Sequence, residues 1–225
     1  MAQLSRYGSG KSAADVFEFL DCSEECRTED AQNVYSTWAA NYDQDMTTFG
    51  YQAPQQLVSV MHGMLGGVNP SNVRVLDVAA GTGMVGSELQ KLGYTNADGL
   101  DANPDMLKVA ENKHVYQRLI EAKLGTGQLP VAPDTYDAVL IVGAFTPNWS
   151  HLQPECFEEL VQITKPGGFI IVGTSTSTLA SDIGKAMEAK LRELQERSLL
   201  SIVDKPTRPM FFKDWEGTFF VCKVT

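Results

Sequence analysis

The chain reads as an α/β fold built on a mostly parallel sheet covered on both faces, and three observations carry that reading. Short apolar and β-branched runs, RVLDV, ADGLD, RLIEA, DAVLIV and FIIVG, alternate with segments of helical period. Strands that alternate with helices pair in parallel, because each crossover helix returns the chain to the same end of the sheet. The run Val73 to Gly83, VRVLDVAAGTG, ends a strand in a glycine turn that opens a helix. Near the end of the chain, LLSIV and GTFFVCKV are separated by a short proline-containing connection, which suits an antiparallel pair at the sheet edge.

Taken in order, residues 1–13 are polar, with Gly and Ser, and are expected to form a loose tail. From Ala14 to Leu65 apolar positions recur at helical spacing, with Val34, Trp38 and Tyr42 a turn apart, so residues 14–65 are expected to form a helical lid. Residues 66–225 then form the core of a single domain over 1–225. Two helix starts are marked: Asn103-Pro104-Asp105 supplies an N-cap, a proline at the first helical position and an early carboxylate, and Pro154-Glu155 precedes CFEELVQI. A long helix with a polar face fits Ser181 to Arg197. His62 and His114 fall on helices without partners and read as structural.

Composition narrows the function. A net charge of -10 repels polyanions, which argues against nucleic acid and anionic membrane surfaces as partners. Cys22 and Cys26 are spaced C-x-x-x-C while Cys156 and Cys222 stand alone, giving neither a zinc quartet nor a disulfide framework, and a reducing compartment is expected. No apolar stretch approaches the ~20 residues of a membrane span. Cytoplasmic localisation, with a nuclear fraction, is the expectation.

The chemistry sits in the glycine turn. Gly81 and Gly83 can adopt backbone conformations closed to other residues, and a missing side chain lets a ligand approach. The following helix start offers N–H groups and the positive end of the dipole. Gly81 to Gly86 is also a G-x-G-x-x-G, which by itself suits NAD or FAD equally, so a nicotinamide or flavin oxidoreductase is a rival reading. Asp77 lies four residues before Gly81, where a carboxylate repels a diphosphate but accepts from an ammonium group. Asp101, about twenty residues on, can accept from both ribose hydroxyls. The ligand so described has an amino-acid end and a ribose end.

The region Tyr35 to Val172 resembles the class I S-adenosylmethionine-dependent methyltransferase family, with DVAAGTG, GLDANPDML, YDAVLIVGAF and ITKPGGFIIV as motifs in order. VYSTWAANYDQDM, GYQAP and VYQRLIEAKL before YDAVLIVGAF resemble the methyltransferase-like protein 27 group more particularly, over most of residues 34–172. The resemblance implies a three-layer Rossmann-like fold whose sheet has seven strands, mostly parallel with the last antiparallel. S-adenosyl-L-methionine would lie over the carboxyl ends of the first, second and fourth strands.

The cofactor set so implied is Asp77, Ala79, Gly81, Thr82 and Gly83 at the first strand, Asp101, Ala102 and Met106 at the second, and Val142 and Gly143 at the fourth. Tyr35 and Tyr42 would close over the methionine end. After the third strand the family often carries an acid toward the adenine amino group, whereas this chain has Lys123, so adenine recognition falls to the backbone at Leu124 and Gly125 or to Thr126. AFTPNW lacks the Pro-Pro-Tyr sequence of enzymes acting on amide or nucleobase nitrogens. The acceptor is then a small molecule or a protein, and His151 is the candidate general base. A methyltransferase-like binding protein without catalysis is the non-enzymatic alternative, and no oligomeric state is assigned.

Overall fold

A computed structural model describes residues 28–127, 129–146 and 152–225. The expected tail, and the expected lid up to residue 27, lie outside the described residues. Helices α1 (Thr28–Trp38), α2 (Tyr42–Thr48) and α3 (Ala53–Met64) come first. The alternating region follows as β1 (Val75–Val78), α4 (Met84–Lys91), β2 (Ala97–Asp101), α5 (Pro104–Lys113), β3 (Arg118–Glu121) and β4 (Tyr136–Val142). Then come α6 (Cys156–Ile163), β5 (Thr164–Ser175), α7 (Thr176–Ala180) and α8 (Asp182–Glu196). The chain closes with β6 (Leu200–Asp204), β7 (Thr207–Phe212) and β8 (Trp215–Val224).

The strand order is β3-β2-β1-β4-β5-β8-β6, with β7 also paired to β8. The strands β3, β2, β1, β4 and β5 are mutually parallel, and β8 runs antiparallel to β5 from Phe169↔Lys223 to Ser175↔Gly217. LLSIV and GTFFVCKV do pair antiparallel, through Leu200↔Val224 and Ile202↔Cys222. Strand β7 continues along β8 where β6 stops, with Thr207↔Thr218 and Arg208↔Gly217. The two are halves of one edge strand broken at Pro206, whose ring removes a ladder donor while its carbonyl still accepts from the Phe219 N–H at 2.9 Å. Eight strands therefore occupy seven positions, with the reversed strand β8 between β5 and the edge formed by β6 and β7.

Period-two alternation sorts the buried residues onto two faces. Leu76, Val78, Val139, Ile141, Ile170 and Val172 pack with Phe157 and Leu160 of α6 and Met187, Leu191 and Leu194 of α8. Val75, Ala138, Leu140, Ile171 and Val221 pack with Leu57, Val58 and Met61 of α3 and Val85 and Leu89 of α4. Helix α3 therefore belongs to the layer covering the sheet, and among the described residues the lid consists of α1 and α2. All of β1 is buried, Asp77 included, as expected of a strand at the centre of a sheet covered on both faces.

The two marked helix starts differ. Asn103 accepts from the N–H groups of Asp105 at 3.0 Å and Met106 at 3.1 Å, a complete side-chain cap. Glu155 makes no cap to α6; its neighbour Glu159 serves another purpose, described below.

Candidate cofactor cleft

Between β1 and β4 the connections diverge to opposite sides of the sheet, the place where open α/β sheets bind ligands beyond the carboxyl ends of their strands. A cleft of about 380 Å³ lies there, within the range of small-molecule sites. Its wall contains Tyr35, Tyr42, Ala79, Gly81, Asp101, Ala102, Met106, Lys123, Leu124, Val142 and Gly143, eleven residues singled out in the sequence and brought together from eight parts of the chain. Thr82, Gly83, Gly125 and Asp77 are not part of that wall. His151 lies outside the described residues.

The turn after β1 holds Ala79 at φ 55°, Gly81 at 52° and Gly83 at 85°. Ala79 is costly there, since a left-handed conformation crowds a Cβ by roughly 1–2 kcal/mol. A Cβ added to Gly81 would meet nothing within 4 Å, so this glycine keeps its place open toward the cleft. Gly83 is different: its Cβ would lie 3.2 Å from both Ala110 and Tyr116. The two glycines thus do separate work, one facing space and one facing protein.

Asp101 ends β2 and organises the turn. Its Oδ2 accepts from the Gly81 N–H at 2.8 Å and its Oδ1 from the Asn103 N–H at 2.8 Å. Burial raises its carboxyl above the usual range, while these backbone donors and Ala102 oppose the rise. A carboxylate can accept about four hydrogen bonds, so capacity for ribose hydroxyls remains.

The far wall is set by β3 and the loop after it. Glu121, the last residue of β3, is in register with Asp101 and lines the cleft. The Gly125 N–H donates to Glu159 Oε2 at 2.8 Å, the Gly127 N–H donates to Glu159 Oε1 at 2.5 Å, and the Thr126 hydroxyl donates to the Lys123 carbonyl at 3.1 Å. Glu159 therefore shapes the segment that presents Lys123 and Leu124. It also occupies the Gly125 donor. The acid absent at position 123 has a counterpart two residues earlier, in Glu121.

The lid is fastened at three points. Asn103 donates to the Gln32 carbonyl at 3.0 Å and to Ser36 Oγ at 3.2 Å, tying α1 to the start of α5. Asp43 of α2 accepts from Thr82 in the glycine turn and pairs with Lys113 of α5. Trp38 donates from Nε1 to the buried Asp45 at 2.7 Å, and its ring meets Tyr42 edge-on at 4.7 Å. Tyr35 and Tyr42, with ring centres 6.2 Å apart, are the aromatic part of the roof. Beside them Tyr51 approaches Gly143 so closely that a Cβ there would lie 2.7 Å from its hydroxyl. Burial raises the pKa of both Tyr42 and Tyr51, with neighbouring tyrosines adding to the effect, so both are neutral hydroxyls.

Sequence reasoning passed over Gln32, Asn103 as a wall residue, Glu121, Leu152 and Tyr116. Glu121 had a usable signal, because the last residue of a parallel strand faces the crevice. Tyr116 had none: its contacts with β1, β2 and α4 exist only after folding.

Residues 75–168 match the methyltransferase domain family. Three of the four motifs line this cleft and a reversed strand lies beside β5, so the chain carries a methyltransferase domain with the fold of class I S-adenosylmethionine-dependent methyltransferases. It is similar to methyltransferase-like protein 27 of Homo sapiens, with 38% identity over 167 residues, 74% of this chain and 66% of that protein. The chain thus spans just under two thirds of that relative's length. Among solved structures, an S-adenosylmethionine-dependent methyltransferase from Leishmania major aligns at TM-score 0.63 with 18% identity, covering 87% of this chain and 82% of that one. Magnesium protoporphyrin IX methyltransferase from Synechocystis PCC 6803, solved with bound S-adenosylmethionine, aligns at TM-score 0.59 with 17% identity, over 82% and 85%.

Proposed function

We propose that this chain binds S-adenosylmethionine in the cleft and transfers its methyl group to a small-molecule or protein acceptor. The observation that supports the reading is the pairing of Asp101 with Gly81: a carboxylate with acceptor capacity left over faces a glycine whose absent side chain leaves open space, across a 2.8 Å hydrogen bond. Met106 and Leu124 supply apolar surface for a flat base, and Glu121 can accept from an exocyclic amino group. When bound, the cofactor supplies a sulfonium that already activates the methyl group.

What the protein must add is placement and exclusion of water. Asp101 orients the ribose, the turn from Ala79 to Gly83 lets the ligand approach the backbone, and Tyr35 and Tyr42 roof the end nearest β1 and β4. Neutral phenols suit that roof, because they can donate to a carboxylate without repelling it. A hydroxyl or acid acceptor needs a base; His151 is the candidate. Titration calorimetry tests the reading: S-adenosylmethionine and S-adenosylhomocysteine should both bind, and Asp101→Ala should weaken both. Absence of heat with either ligand on the unaltered protein rejects it.

A further inference from the structure

We propose that Tyr116 is a positioning residue for the amino-acid end of the ligand, its hydroxyl holding Asp77 so that the second carboxylate oxygen can receive an ammonium group. The proposal rests on the S-adenosylmethionine reading above and extends it to a residue outside the cleft wall.

Tyr116 sits between α5 and β3, and its ring fills space that three glycines leave. A Cβ on Gly86 would lie 2.5 Å from its Cζ, one on Gly99 2.9 Å from its Cε2, and one on Gly83 3.2 Å from the same atom. Filling a gap needs only a ring, and phenylalanine would serve. The hydroxyl therefore has its own work. It accepts from the Gly86 N–H at 3.1 Å and donates to Asp77 Oδ2 at 2.5 Å. Because the backbone N–H can only donate, the phenol proton is directed at the carboxylate, an arrangement that favours the ionised acid.

Asp77 is 1% exposed. Its Oδ1 accepts no hydrogen bond among the described residues, and no lysine or arginine among them pairs with it. The titratable groups facing it are Tyr116, Asp101 at the end of β2 and Tyr51 before α3, none of them a cation. Burial pushes its carboxyl up to about 7, against the Tyr116 hydrogen bond and with Asp101 adding to the rise. A buried carboxylate without a cation is costly unless something arrives to pair with it. The α-ammonium group of the methionine portion is a cation of the right kind, and Tyr116 favours the ionised form of the acid and holds it aimed for that group.

The test compares S-adenosylhomocysteine with methylthioadenosine, which lacks the amino-acid portion, on the unaltered protein and on Tyr116→Phe, by calorimetry between about pH 5.5 and 8. In the unaltered protein, affinity for S-adenosylhomocysteine should fall by up to about tenfold per unit below about pH 7, while methylthioadenosine stays level. In Tyr116→Phe the fall should begin at higher pH, lowering neutral-pH affinity for S-adenosylhomocysteine several-fold and leaving methylthioadenosine unchanged. Superimposable S-adenosylhomocysteine profiles overturn the proposal. So does an equal loss for both ligands, which would mean that the hydroxyl only supports the loop. Failure of S-adenosylhomocysteine to bind the unaltered protein is a separate result, and it removes the underlying reading as well.

Discussion

Replacing Asp77 by asparagine should make the ligand-free protein more stable at neutral pH. Asparagine has nearly the same shape, and its Oδ1 can still accept from Tyr116, so the substitution removes mainly a buried charge. The cost of that charge follows from its ionisation: the carboxyl moves from 3.8 to about 7 on folding, chiefly through burial. At about 1.36 kcal/mol per unit, this is on the order of 4 kcal/mol.

The sign is opposite to that of a salt-bridged acid. Between about pH 4 and 7 the folded state keeps a proton that the unfolded state has lost, so stability falls as pH rises through that window and is level above it. Urea unfolding of both proteins at about pH 5 and 8 should therefore show the advantage of Asp77→Asn growing by roughly 3 kcal/mol between them. An advantage equal at the two pH values would refute the argument, because it would show that Asp77 titrates alike folded and unfolded. The same variant should bind S-adenosylhomocysteine more weakly and methylthioadenosine as before, which would make Asp77 a residue kept at the expense of stability.

Two further substitutions probe what surrounds this pair. Gly86→Ala places a Cβ 2.5 Å from a ring tethered at its hydroxyl, so overpacking should cost about 1–3 kcal/mol, read by urea unfolding; an unchanged midpoint would show that Tyr116 moves freely. Glu159→Gln leaves one side-chain acceptor oxygen for the two N–H groups of Gly125 and Gly127, and should cost about 1–3 kcal/mol together with weaker binding of methylthioadenosine. Retained affinity there would mean that the loop after β3 holds its shape without Glu159.

Much of the fold was legible because its signals are local. The runs RVLDV, ADGLD, RLIEA, DAVLIV and FIIVG each carry strand character in themselves, and each corresponds to a strand of the sheet. The N-cap at Asn103 also lies within a few residues of the groups it satisfies. The lid boundary was harder to place: α3 has the same helical period as α1, and only its packing on Val75, Ala138 and Leu140 assigns it to the sheet. The break at Pro206 was equally hidden, since a proline between two apolar runs marks a turn as readily as an interruption in one edge strand.

The site divides along the same line. Asp101, Gly81 and Gly83 could be named from sequence because the turn's backbone demands and the spacing of the acids are written in consecutive residues. What the sequence could not separate was the work of glycines with identical letters. Gly81 opens onto the cleft, whereas Gly83, Gly86 and Gly99 make room for Tyr116, a side chain distant from each of them along the chain. Nor could it show that Asp77 would be buried with one oxygen held and no cation beside it. Those facts belong to tertiary structure, because desolvation and close approach depend on which distant residues the sheet brings together.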